Sequence, residues 1–70
     1  MKTRALDAWR RELAAGQRTK YDFDPLWRAA CDEMNALEAV AAGLPQLARQ
    51  FQRDAYRIIT TAAKRQRGVA

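Results

Sequence analysis

The chain has 70 residues, a formal charge of +5 and 49% apolar residues, and 15 of its residues are alanine. It contains no histidine and a single cysteine, Cys31. Without histidine the commonest general base is missing, and with one cysteine an intramolecular disulfide is impossible, so a catalytic or disulfide-stapled domain is not expected. A chain this short buries only roughly 60% of the surface it exposes when unfolded, so a single domain over 1–70 with a thin stability margin is expected, and a homodimer is a candidate way to widen that margin.

The first predicted helix covers about 3–17. Leu6, Trp9 and Leu13 form a narrow apolar stripe, and Arg4, Arg11 and Arg18 recur every seven residues on another face. Thr3 is a candidate N-cap, Asp7 suits the positive end of the helix dipole, and Gly16 marks a C-terminal turn prone to fray. Residues 18–23 read as a loop. Tyr21 and Phe23 alternate with Asp22 and Asp24, but no partner strand is present, and Phe23 is placed to staple the next helix.

The second helix, about 25–42, is the one around which the chain is organised. Asp24 is a good N-cap, Pro25 suits the first helical position, and Gly43 can adopt the left-handed conformation that ends a helix. One stripe, Leu26, Ala30, Met34, Leu37 and Ala41 with Trp27 beside it, is expected to enter the core. A second, smaller stripe consists of Ala29, Ala36, Ala39 and Val40. Two apolar sides call for two neighbours, which places this helix in the middle of the fold. The expected core is Leu6, Trp9, Leu13, Phe23, Leu26, Trp27, Met34, Leu37, Leu44, Leu47, Phe51, Ile58 and Ile59.

Pro45 opens a third helix, about 45–67, directly after Gly43-Leu44, so the connection is tight. Leu44, Leu47, Phe51, Ala55, Ile58, Ile59 and Ala62 form its apolar stripe, and Arg49, Arg53, Arg57 and Lys64, continued by Arg67, lie opposite. Residues 65–70 read as a fraying tail. The fold class is therefore all-α, a small three-helix bundle.

Charge is uneven along the chain. Residues 1–20 carry six basic against two acidic side chains, residues 21–48 one against five, and residues 49–70 six against one. Either the basic outer helices pair with the acidic middle one, or they leave a positive surface for an anionic partner. No glycine-rich phosphate loop occurs, since Gly16, Gly43 and Gly68 stand far apart, and no cofactor or metal is expected: the carboxylates lack calcium-loop spacing, and one cysteine without histidine makes no zinc site. Cys31, at the border of an apolar stripe, reads as a structural thiol.

Binding is the remaining function class. Arg49, Arg53, Arg57, Lys64 and Arg67 are the leading candidates for phosphate contacts, with Arg4, Arg11 and Arg18 as a second patch. The region 37–59 was compared with a helix-turn-helix and fits poorly, because the second-helix positions that should be buried fall on the polar Gln46, Arg49 and Gln52. Trp9 and Trp27 read as core, and Tyr56 lies between the apolar and basic faces of the third helix. With no apolar segment at the N-terminus and no run long enough to span a bilayer, a cytoplasmic protein is expected. The leading expectation is a basic helical regulator that binds nucleic acid. The alternative is a protein-binding adaptor or inhibitor meeting an acidic protein surface, such as an accessory protein of a phage or plasmid. The stripe Ala29, Ala36 and Val40 separates the two: buried, it favours nucleic acid, and exposed, it favours a protein interface.

Overall fold

A computed structural model of the chain describes residues 1–18 and 24–69, without the side chains at 66 and 69. Three helices follow one another: α1 (Arg4–Ala14), α2 (Pro25–Ala41) and α3 (Pro45–Val69). No strand occurs among the described residues. The expected roles of Phe23 and of the loop around it lie outside the described residues.

The helix boundaries come from local chemistry. Asp24 holds extended backbone angles, and its carboxylate accepts the Trp27 N–H at 2.9 Å, with Pro25 at the first helical position. At the other end Gly43 takes φ +76°, Gly43 N–H donates to the Val40 carbonyl at 3.0 Å, and Leu44 N–H reaches back to Ala39 at 2.8 Å. That pair of bonds satisfies two orphan carbonyls, and a left-handed residue is what permits it. Gly16 (φ +74°) closes α1 in the same way, with Gln17 N–H donating to Glu12 at 2.9 Å. Instead of fraying, α1 therefore stops at Ala14, three residues before its expected end. At the far end α3 extends to Val69, two residues past its expected end.

As expected, α2 is the middle helix, and both neighbours pack along it. Ala36 and Ala39 meet Ala48 of α3, with Phe51 against them. Further along, Ala29 meets Ala55 of α3 and Ala5 of α1, bordered by Leu26, Ile58 and Ile59. Leu6 and Trp9 of α1 lie on Ala30, with Leu13, Leu26 and Trp27 packed around them. The pairing order shows that α2 and α3 run antiparallel.

The core differs from the expected one in which residues are large. Among the described residues, seven of the nine buried apolar side chains are alanines: Ala5, Ala29, Ala30, Ala36, Ala39, Ala48 and Ala55. Leu6 and Trp9 are the other two. Met34, Leu37, Leu44 and Leu47, all expected inside, are 39–50% exposed. Two causes account for this. Small residues let two helix backbones approach closely, so α3 seats its own Ala48, one position past Leu47, on the alanine stripe of α2. In addition, α1 has only 11 residues, about 16 Å of helix, against 17 in α2. It covers Leu26, Trp27 and Ala30, and the continuation of that same stripe, Met34, Leu37 and Ala41, lies beyond its reach.

Candidate nucleic-acid interface

The side of α3 that turns away from the alanine seam carries the charge. At 100° per residue, Arg49, Arg53, Arg57, Lys64 and Arg67 fall within an arc of about 80°, nearly opposite Ala48 and Ala55. All five are exposed. From Arg49 to Arg67 the row spans about 27 Å of helix rise. Among the described residues none of the five has a carboxylate within ion-pair distance. Asp54 and Arg57, three residues apart on α3, likewise form no pair.

Among the described residues the acidic side chains of α2 form no ion pair with the basic helices. Glu33 is the clearest case. It is 7% exposed, and its two oxygens accept the backbone N–H groups of Ala5 (3.1 Å) and Leu6 (2.8 Å). These are orphan donors of the first turn of α1, where the helix dipole also favours negative charge. Thr3, the expected cap, occupies the N-cap position but makes no side-chain cap bond; its hydroxyl donates to Asp7 Oδ2 at 3.3 Å instead. No site role was expected for Glu33 from the sequence. The missed signal is its angular position: Glu33 falls between Leu26 and Val40 on the wheel of α2, inside an apolar arc, where a carboxylate needs a buried partner.

Asp32 lies on the side of α2 that faces α3. Burial pushes its carboxyl above the usual value, the charge of Asp54 pushes it further, and Arg28 opposes both. Next to it, the half-buried Cys31 thiol is raised by burial and then by the charge of Asp32. That is the environment of an inert thiol rather than of a nucleophile.

The second patch divides. Arg4 and Arg11 are both exposed on α1. Arg18 does not continue the row, because the helix has already turned at Gly16. Its guanidinium is half-buried, with Nε donating to Glu12 Oε2 and Nη1 paired with Asp24 Oδ2, so it ties the end of α1 to the cap of α2.

Of the aromatic residues singled out, Trp9 and Trp27 pack on each other with centroids 4.9 Å apart and planes tilted by 50°. Trp9 Nε1 is buried with no hydrogen-bond partner among the described residues. Tyr56 differs from both: it is 73% exposed and borders a cavity of about 380 Å³ between the start of α1 and the middle of α3. Lys2 and Arg4 form the opposite wall of that cavity.

The helix-turn-helix comparison fails on burial as well as on composition, because Gln46 and Arg49 are exposed at positions such a motif buries. No group of three or more potential metal ligands is found among the described residues. In the described residues no helix is long and apolar enough to cross a membrane. No protein-family model, curated protein or solved structure matches the chain.

Proposed function

We propose that the protein is a small helical regulator that binds nucleic acid by laying the basic face of α3 along phosphates. The observation that carries this reading is the row Arg49, Arg53, Arg57, Lys64 and Arg67, exposed and without ion-pair partners among the described residues. Arg49, Arg53 and Arg57 at three successive turns present a donor about every 6 Å, and Lys64 and Arg67 continue the row two turns further on, an arrangement suited to tracking a phosphate backbone without reading bases. Two of the three residues of the discriminating stripe, Ala29 and Ala36, are fully buried against α3, and only Val40 is exposed. That outcome favours nucleic acid over a protein interface on that side of α2.

The test is fluorescence anisotropy of a labelled mixed-sequence duplex titrated with the wild-type chain and with the triple variant R49A/R53A/R57A. All three substitutions are on the surface, so far-UV circular dichroism should be unchanged. Weakened binding by the triple variant supports the reading, and equal binding by both proteins removes it.

A second reading has its own observation. Met34 and Leu37 of α2, on the continuation of the face that α1 covers, and Val40 beside them are 42–54% exposed. Uncovered apolar side chains at successive turns suit a protein partner or a second copy of the chain. On that reading Leu37→Asp abolishes capture of the partner or lowers the mass measured by light scattering, while nucleic-acid binding persists. An unchanged mass and an unchanged partner set would remove it.

A further inference from the structure

The cavity beside Tyr56 borders the arginine row of α3 and is not explained by that row alone. Its floor is Glu33, Ala55 and Ile59, one wall is Lys2 and Arg4, and the other is Gln52 and Tyr56. The one acidic group in it, Glu33, already directs both oxygens to the N-terminus of α1, which compensates its charge. The accessible charge around the opening is therefore positive. It is reinforced by Arg53, which neighbours Tyr56 one turn away on the same helix surface, and by Arg49 a further turn back.

Tyr56 itself adds nothing to the core. At 73% exposure it is far more open than Trp9, which is buried, or Trp27 and Phe51, which are half-buried. Its backbone is held in regular helix, and its carbonyl additionally accepts the Thr60 hydroxyl at 2.7 Å, so the ring projects from a rigid element. A rigid, exposed aromatic flanked by cations on two sides is the arrangement by which proteins hold unpaired bases: the ring supplies a stacking face that tolerates any base, and the cations take the phosphates on either side. A base within a duplex is already stacked and cannot use it.

We propose that this cavity receives one unpaired base of a single-stranded nucleic acid, stacked on Tyr56, with Lys2 and Arg4 on one flanking phosphate and Arg53 and Arg49 on the other. The inference rests on the nucleic-acid reading of the α3 face, and it makes single strands the preferred ligand of that face. Oligo-U and oligo-dT are the probes, compared with a duplex carrying the same number of phosphates. The variants are Tyr56→Ala, Tyr56→Phe and R49A/R53A/R57A.

The expected result is that Tyr56→Ala weakens single-strand binding by roughly 5- to 100-fold, while Tyr56→Phe stays within about twofold of wild type and duplex binding is unchanged. Oligo-U and oligo-dT distinguish RNA from DNA as the source of the strand, and a preference of more than about tenfold for oligo-U over oligo-dU, which lacks only the hydroxyl, would assign a contact to the 2′-hydroxyl. If Tyr56→Ala leaves single-strand affinity intact, or weakens single strand and duplex alike, the stacking site is overturned. In those cases the arginine face still stands if R49A/R53A/R57A weakens binding. If the wild-type chain binds neither probe, the underlying reading falls with it.

Discussion

Replacing Glu33 tests how this fold is held together. The chain spends the most deeply buried carboxylate among the described residues on two amides that lie 27 and 28 residues away, at the start of a helix of only 11 residues. Helices this short are marginal in water, so α1 depends on its docking and on its cap. In Glu33→Ala both charge-assisted bonds vanish, and the Ala5 and Leu6 N–H groups lose their acceptor in a region where Ala5 and Leu6 are at most 4% exposed. A hydrogen bond to a charged group contributes about 1.5–3 kcal/mol, and cap removal typically costs about 0.5–2 kcal/mol; because the two bonds share one carboxylate and are not additive, we expect a loss of about 2–4 kcal/mol. For a domain of this size total stability is about 4–10 kcal/mol, so the loss is a large fraction of it. Glu33→Gln keeps one acceptor oxygen and loses the charge, and should fall between the variant and wild type. Urea unfolding followed by tryptophan fluorescence is the assay, because the contact between Trp9 of α1 and Trp27 of α2 reports directly on docking of α1. A Glu33→Ala midpoint corresponding to less than about 0.5 kcal/mol of change, the range of ordinary surface substitutions, would refute the capping role.

Further predictions follow from the alanine seam and from the shifted groups of α2. Ala36→Leu, at a position fully buried against Ala48, should destabilise by about 1–3 kcal/mol through overpacking, while Leu37→Ala, at 42% exposure, should cost less than about 1 kcal/mol; thermal unfolding that ranked the two the other way would contradict the placement of the core. Asp32 has its folded value raised above 3.8, so its stabilising contribution is full below that value and is lost as pH rises through the raised one. Asp32→Asn should accordingly be more stable than wild type near about pH 7, with the advantage gone near about pH 3.5, as read from urea midpoints at the two pH values. Equal differences at both would contradict it. Cys31, raised above 9.0 by burial and by Asp32, should alkylate with iodoacetamide more slowly than a free cysteine at about pH 8, and Asp32→Asn should speed the reaction. A rate matching that of free cysteine would show that the thiol is not shielded.

Elements whose determinants are local were legible in the sequence. Asp24, Pro25, Gly43 and Pro45 set the ends of α2 and α3 by bonds within four or five residues, and those ends fall within two residues of where the sequence places them. The basic face of α3 was legible for the same reason, since a 3.6-residue period fixes which side chains share a side. What was not legible depends on contacts across the fold. Large apolar side chains on α2 looked like core, and the exposure of Met34 and Leu37 follows from where α1 begins: its first turn is held at Glu33 and no part of it lies further along α2, while at its other end Gly16 turns the chain early. The same early turn takes Arg18 out of the row begun by Arg4 and Arg11 and sets it against Glu12 and Asp24. Glu33 was missed because its partners are backbone amides of another helix, which leave no side-chain signature to search for. Tyr56 was seen as lying between two faces, but whether its ring rims the core or stands clear of it depended on how close α1 and α3 come.

The measurement that bears most directly on the central claim is the slope of log affinity against log salt for wild type and for R49A/R53A/R57A on one duplex. Each phosphate contact released contributes about 0.9 to that slope on duplex DNA, so removing three should flatten it by roughly 2–3. A flattening of that size, with helix content unchanged, is the result the account predicts. A slope that stays the same in the triple variant would mean that the arginines of α3 do not face phosphates, and would contradict it.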